Sequence, residues 1–396
     1  MSTKSHTRLC RFAALIVVAA VTATGIAGPS SARAKQAKQG RAKNVILFIG
    51  DGMGPAQVEA SAFKAFGQKR DEKGNPMKLS FEQFPVMGYL TTFAANSFVS
   101  DSAAAGSALA CGKKTDNGMI SVLPDGKPMR SISEIARAKG RAVGVLSSVA
   151  LNDATPSCFY AHCGSRGNQD AITSQIFDAP VADVLMGGGI VRKTWTDDKI
   201  RTEAEKAGIK FFTCGNFSQI TSASTGDAKV LGYFDANDNK QLEFETSRTA
   251  GSNEPSLVQM TAVALDLLKR NPKGFFLMAE SGSIDWACHR NNAPQAIGEA
   301  LELDRTVAQT LEFLAREKML DSTLVIVTAD HETGGMTIPG PYKKILSAGD
   351  MPDVQFSTKG HTGMPVFVWA RGPGSELLRG KNDNTAVFDA MAAALE

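Results

Sequence analysis

The chain has 396 residues, 43% hydrophobic and 21% charged, a composition that fits a folded globular protein and excludes a disordered or fibrous one. Lysine and arginine number 43 against 40 aspartates and glutamates, and this balance of +3 gives no ground for nucleic-acid binding. Glycine is plentiful at 37 residues, which suits many tight turns between strands and helices.

At the N-terminus, Lys4, Arg8 and Arg11 precede an apolar run from Phe12 to Ala27, and Ala32-Arg33-Ala34 has the small-residue pattern of a signal-peptidase site. The run is about 16 residues, short of the roughly 20 that span a membrane, so residues 1–34 read as a cleaved signal peptide rather than an anchor. Its removal takes away four basic residues and no acids, and turns the balance to −1. This predicts an exported protein, periplasmic or secreted, with no membrane attachment once the leader is gone. Residues 35–396 show no repeat or linker and read as one large domain.

Short apolar runs then recur, each ending in a small residue and then a polar or acidic one. Asn44 to Ile49 leads to Gly50-Asp51, and Ala142 to Leu146 leads to Ser147-Ser148 and on to Asn152-Asp153-Ala154-Thr155. Val181 to Met186 leads to three glycines, Gly274 to Met278 to Ala279-Glu280, Thr323 to Val327 to Asp330-His331, and Pro365 to Trp369 closes the series. Such runs predict strands buried on both faces. Helical periodicity separates them over Ile132 to Ala138, Leu257 to Lys269 and Ala293 to Lys318. The alternation predicts an α/β fold with a largely parallel central sheet and helices on both faces. Ligands then belong at the carboxyl ends of the strands, where the acids would converge.

Three of the five histidines fall beside these acids: His289, His331 and His361. Asp285 and His289, four residues apart, would share one face of a helix and could bind one metal, or form a surface ion pair. Asp330-His331 suits an irregular strand end, and Asp51 lies in a Gly-Asp-Gly-Met-Gly turn where an ion can approach closely. Asp101-Ser102-Ala103 reads as a helix start. Either residue could simply cap it, or Ser102 could be a nucleophile at a helix N-terminus that favours anions. Arg166 is of a type that holds two phosphate oxygens at once. His162 reads as structural, and Asp235-Ala236-Asn237-Asp238-Asn239 as a turn that lacks the glycine and glutamate of a calcium loop. Five cysteines remain beyond the leader, Cys111, Cys158, Cys163, Cys214 and Cys288. This odd number leaves at least one thiol outside any intramolecular pair, and a helix over Pro156 to Ser165 would point Cys158 and Cys163 apart.

The order of six stretches, VILFIGDGMG, VSDSAAAGSALACGKKTDNGMI, NDATPSCFYAHCGSR, ESGSIDWACH, VTADHETGGM and KGHTG, resembles the alkaline phosphatase family from Asn44 to about Gly374. The resemblance implies two zinc ions, one on Asp285, His289 and His361, the other on Asp51, Asp330 and His331. It implies magnesium on Asp51, Thr155 and Glu280, with Asp153 beside it. Ser102 would be the nucleophile that becomes a phosphoserine, and Arg166 the phosphate clamp. The implied activity is broad hydrolysis of phosphate monoesters at alkaline pH by a homodimer that also binds inorganic phosphate; export together with broad specificity suggests phosphate scavenging.

Two departures from the family pattern stand out. Trp286 follows Asp285 where well-known relatives carry lysine or histidine, so phosphate affinity and pH optimum are expected to differ. Only 29 residues separate His331 from His361, so the insertion over 337–358, a crown at the dimer interface of larger relatives, is expected to be small. The competing readings are a phosphodiesterase on the same fold and a secreted phosphate- or metal-binding protein without turnover.

Overall fold

The computed structural model describes residues 41–191, 194–234, 241–249 and 251–396. The leader-like segment and the Asp235–Asn239 turn lie outside the described residues. In chain order the strands are β1 (Asn44–Gly50), β2 (Val86–Thr91), β3 (Ala142–Ser147), β4 (Val184–Gly187), β5 (Ile209–Thr213), β6 (Lys229–Tyr233), β7 (Phe275–Ser281), β8 (Thr323–Thr328), β9 (Glu332–Thr333), β10 (Met336–Gly340), β11 (Asp353–Phe356), β12 (His361–Thr362), β13 (Val366–Arg371) and β14 (Gly380–Asp383). The helices are α1 (Pro55–Phe66), α2 (Ser102–Cys111), α3 (Ile132–Ala138), α4 (Ala154–Ser157), α5 (Gln169–Asp178), α6 (Asp197–Lys206), α7 (Ser222–Thr225), α8 (Leu257–Leu268), α9 (Ser283–His289), α10 (Ala293–Arg316) and α11 (Thr385–Leu395).

Ten strands form one sheet in the order β14-β2-β13-β8-β1-β7-β3-β4-β6-β5. All pair in parallel except β13, which runs against both β2 and β8. Every residue of β1, β3, β7 and β8 is buried, which is why these four read as unbroken apolar runs. Two separate sets of helices cover the sheet. One is α8 and α10, packed on each other and on β7; the other is α3, α4 and α11, which reach β1, β3 and β7. In α10, Ile297, Ala300, Leu303, Val307 and Leu314 are buried at helical spacing, and Asn292 caps its start by accepting from the Gln295 N–H.

The expected strands are present, with one shortened. The run predicted from Val181 is strand from Val184, and Asp183 just before it bonds Val143 through both its backbone N–H and its side chain. The helix considered over Pro156 to Ser165 stops at Ser157 and continues only as turns. Among the described residues no helix is long and apolar enough to cross a membrane. Residues 337–358 hold a two-stranded ladder of β10 and β11 and little else, as a small insertion should.

His162 has the structural setting expected of it. Its Nδ1 faces the Ser121 carbonyl at 2.9 Å and its Nε2 the Glu134 carboxylate at 3.2 Å, tying the capping box of α3 to the loop after α4. The Glu134 hydrogen bond raises the His162 pKa above 6.5, outweighing burial. Burial pushes Glu134 up, but the His162 and Ser131 hydrogen bonds hold it below 4.5. The His162 contribution is therefore complete below pH 6.5 and fades as pH rises through its raised value. The Glu134 contribution is complete above pH 4.5 and fades as pH falls through its lowered one. Denaturation of His162→Gln against the parent should show a loss of about 1 kcal/mol or less between these values. The gap should narrow by pH 9, and a gap that widens with pH would contradict the assignment.

Candidate active site

Asp51 follows β1, Glu280 lies near the end of β7, and Asp330 follows β8, three neighbouring parallel strands whose register brings their carboxyl ends level. Asp153 and Thr155 arrive from the loop after β3, which is the other neighbour of β7. Gly52 makes the turn after Asp51 with φ +72°, and a Cβ there would meet Thr333 Oγ1 at 2.8 Å and the Asp285 Cα at 3.1 Å. The turn therefore lies directly against α9, which carries Asp285 and His289. The Gly52 N–H donates to Asp330 Oδ1 at 3.2 Å, and the His331 N–H donates to the same oxygen at 2.9 Å.

His331 Nε2 is the centre of one group. It lies 3.6 Å from Asp51 Oδ1, 3.2 Å from Asp330 Oδ2 and 3.2 Å from Ser102 Oγ. Asp51 Oδ1 and Asp330 Oδ2 are buried and accept no hydrogen bond. The ring's other nitrogen faces Thr333 Oγ1, whose hydroxyl donates to Asp285 Oδ1 at 2.5 Å. That arrangement places the proton on Nδ1 and leaves the Nε2 lone pair pointing at the acids, as for a metal-ligating histidine. Burial and the neighbouring His361 push the His331 pKa well below 6.5, so the ring is neutral.

A second group forms around Asp285. His289 Nε2 is 3.1 Å from its Oδ2, His361 Nε2 is 3.5 Å from its Oδ1, and the two Nε2 atoms face each other at 3.3 Å. The Nδ1 atoms of these rings face the carbonyls of Lys359 and Ser100, so they donate there and leave Nε2 turned inward; the Asp285 hydrogen bond raises His289 to about 8, and its Nε2 becomes a ligand once that proton is lost to a cation. Two imidazole lone pairs opposed across a carboxylate are a mutual repulsion unless a cation or proton lies between them. His331 lies within reach of both groups: its ligand atom is within 4.8 Å of those of Asp285 and His361 as well as those of Asp51 and Asp330. Its ring stacks on His361 with centroids 3.6 Å apart.

Beside the first group, Thr155 Oγ1 donates to Asp51 Oδ2 at 3.3 Å, and Ser147 Oγ donates to Glu280 Oε2 at 2.5 Å. Burial, then the charges of Asp330, Asp285, Glu280 and Asp153, push the Asp51 carboxyl well above the carboxylate range. Burial raises Asp330 to about 7 and Glu280 to about 8, their acidic neighbours adding to it. Asp285 goes the other way: burial pushes it up, but the hydrogen bond from His289, itself raised to about 8 by Asp285, leads the histidine contributions that hold it at about 2. The donor set is oxygen and imidazole nitrogen, buried, partly orphaned and short of positive charge. It fits metal cations.

Ser102 opens α2 and is 4% exposed. The cap is made by Asp101, whose Oδ1 accepts from the Ala104 N–H at 3.0 Å, so the Ser102 hydroxyl is left facing His331. Asp101 Oδ2 also accepts from Arg166 Nη1 at 3.1 Å, and Asp153 Oδ1 accepts from Arg166 Nη2 at 2.9 Å. Burial opposes the charge on Arg166, but these two carboxylates raise its pKa further. Asp153, expected beside a metal, thus turns one oxygen to the arginine, while its charge still bears on Asp51 and Glu280. The pairing of Arg166 with Asp101 and Asp153, and the roles of Ser147, Thr333 and Glu332, were not foreseen from sequence. Only the position of Glu332 directly after Asp330-His331 offered a signal.

The family model for alkaline phosphatase matches residues 42–351. Alkaline phosphatase 4 of Bacillus subtilis (strain 168) is 35% identical over 375 residues, covering 91% of this chain and 78% of that protein. Alkaline phosphatase of Escherichia coli (strain K12) is 31% identical, covering 89% and 86%. The solved structure of alkaline phosphatase from the Antarctic bacterium TAB5 superposes with a TM-score of 0.76 at 30% identity, over 90% of this chain and 98% of that one. The chain belongs to the alkaline phosphatase family, whose members are metal-dependent, and is a phosphatase acting on phosphate monoesters.

Chelation should expose the charge imbalance directly. When cations leave at pH 7, Glu280 and Asp330 should take up protons, because burial and acidic neighbours hold them at about 8 and about 7, and the same causes push Asp51 upward beside them. Titration in a weakly buffered solution should record that uptake. The melting temperature should also fall, by the equivalent of about 2.7 kcal/mol where free metal had stood 100-fold above its Kd. Chelation with neither proton uptake nor destabilisation would contradict the reading of these residues as a metal site.

Proposed function

We propose that this member of the family hydrolyses phosphate monoesters by a double displacement at Ser102, with two zinc ions and one magnesium ion as resident cofactors. One zinc would be held by Asp285, His289 and His361, the other by Asp51, Asp330 and His331. Magnesium would be held by Asp51, Thr155 and Glu280, with Asp153 alongside. The observation that carries this reading is the Ser102 hydroxyl, released from capping by Asp101 and aimed at His331 beside two orphaned carboxylate oxygens.

When bound, the cations supply Lewis acidity that favours deprotonated hydroxyls and offsets charge on the leaving oxygen. Ser102 Oγ, having lost its proton, attacks phosphorus; the ester oxygen leaves, and the phosphoryl group stays on the serine. Water then attacks that phosphoserine from the vacated side and regenerates the hydroxyl. Arg166 is fixed by a carboxylate on each terminal nitrogen, and each nitrogen keeps a second N–H for a nonbridging phosphate oxygen. The position of Ser102 at the start of α2 adds unpaired amides and the helix dipole on the anionic side. Recognition addresses the phosphoryl group, so the substrate range should be broad. An exported enzyme of this kind would serve phosphate scavenging. A homodimer is part of the same proposal, and the exposed Met87, Tyr89, Phe93, Phe98 and Met364 supply apolar surface for it.

Paired rates with a monoester and a diester sharing one leaving group, on protein loaded with zinc and magnesium at alkaline pH, test this function. Monoester turnover should exceed diester turnover. Ser102→Ala should lower it by at least about 100-fold, and Arg166→Ala should lower monoester kcat/KM by about 100-fold. Faster diester cleavage would move the function to a phosphodiesterase and remove Arg166 from the clamp.

Trp286 follows the metal-binding Asp285 and brings no charge to the phosphate. Trp286→Lys should tighten inhibition by inorganic phosphate and move the pH profile. An unchanged inhibition constant and profile would show that this position does not tune phosphate binding.

A further inference from the structure

Glu332 is 3% exposed and forms no ion pair with lysine, arginine or histidine among the described residues. A buried carboxylate without a cation must be held by hydrogen bonds. Glu332 has four. Its Oε1 accepts from Gln57 Nε2 at 3.0 Å and from the Met336 N–H at 3.1 Å. Its Oε2 accepts from the Gly335 N–H at 3.2 Å and from the Thr362 hydroxyl.

These donors belong to separate parts of the site. Gln57 is on α1, which begins just after the Asp51 turn, and its Nε2 also donates to the Thr333 carbonyl at 2.8 Å and faces Cys288 Sγ of α9 at 3.7 Å. Thr362 follows His361 in β12. β12 pairs antiparallel with β9, setting Thr362 opposite Glu332 and His361 opposite Thr333. The backbone leaves room for this hub at Gly54, where a Cβ would fall 2.2 Å from Glu332 Cγ. One side chain thereby joins the Asp51 turn, the Asp330-His331 segment and the His361 strand, and Gln57 extends the tie to the helix of Asp285 and His289.

We infer that Glu332 is a positioning residue for the phosphatase reaction, holding His331 and His361 at the spacing in which both groups of metal ligands close. The inference rests on the proposed assignment of those histidines as zinc ligands. Each histidine has one ring nitrogen fixed by an acceptor, His331 by the neighbouring Thr333 and His361 by the Ser100 carbonyl before α2, and neither bond joins the two histidine segments to each other. The two segments are joined by the β9–β12 ladder, only two residues long on each strand, by the Gly334 N–H donating to the Gly360 carbonyl at 2.9 Å, and by the bond Glu332 makes to Thr362 across it.

The test is zinc affinity measured by chelator competition, with the absorption spectrum of the cobalt-substituted protein as a second readout. Parent, Glu332→Gln, Glu332→Ala and Thr362→Val would be compared, with Leu268→Ala in α8 as a destabilised control remote from the ligands. Outer residues of this kind typically change metal affinity by 10- to 100-fold. Glu332→Ala should weaken zinc by about that factor and alter the cobalt bands, and Thr362→Val should do so less. Glu332→Gln should recover part of the loss, since an amide can satisfy one side of the hub and Thr362 can reverse its hydroxyl. In phosphatase assays at saturating zinc, kcat should fall more than KM rises. Leu268→Ala should lose melting temperature but keep its zinc affinity and spectrum. If Glu332→Ala fails to fold, Thr362→Val and Glu332→Gln decide the matter. Parent-like affinity and spectra in the folded Glu332 and Thr362 variants would overturn the inference and leave the proposed function standing. A parent that binds no zinc would overturn both.

Discussion

Asp51, Glu280 and Asp330 at the carboxyl ends of adjacent strands, and Asp285 on helix α9 beside them, are held out of water, and the structure around them is arranged to make that tolerable. Isolated ionised carboxylates cannot be buried together. Three of the four accordingly have pKa values raised by burial and by one another. Asp285 escapes only because three histidines surround it. The strand order brings the acids level, the Gly52 turn brings Asp51 against α9, and three histidines turn Nε2 toward the acids. The remaining arrangement follows from the same imbalance. Arg166 is kept in place by two further acids, and Ser102 faces the group because a neighbour caps its helix.

Much of this was legible in the sequence because the same residues serve both burial and chemistry. β1, β3, β7 and β8 lie in the middle of the sheet, so their runs are continuously apolar and the acids beyond them stand out. β2 alternates buried and exposed residues, β5 mixes them, and β14 is four residues of mostly polar sequence, so the sheet's outer strands gave no comparable signal. The acids and histidines that converge in the two groups were legible by type and order. What could not be read was pairing across distance. Arg166 meets Asp101 and Asp153, and Glu332 meets Gln57 and Thr362, through tertiary contacts that no local pattern encodes. Capping was ambiguous for a related reason: Asp101 and Ser102 are both good capping types, and only the backbone shows which one does it.

The site is a set of groups that converge from several elements of the fold. A hollow of about 590 Å³ lies elsewhere, at the amino ends of β3, β4 and β6, lined by Arg137, Arg141 and Arg270, and these arginines are already engaged by carbonyls and by Asp183 and Asp227. Phosphoryl chemistry needs no large pocket, since charge and orientation do most of the work.

The central claim is that the buried acids and inward histidine lone pairs form two closed sets of metal ligands. Anomalous diffraction at the zinc edge from crystals grown with zinc tests it most directly. The account predicts two zinc peaks, one among Asp51, Asp330 and His331, the other among Asp285, His289 and His361. No peak at either position, or zinc found only on surface residues, would contradict it.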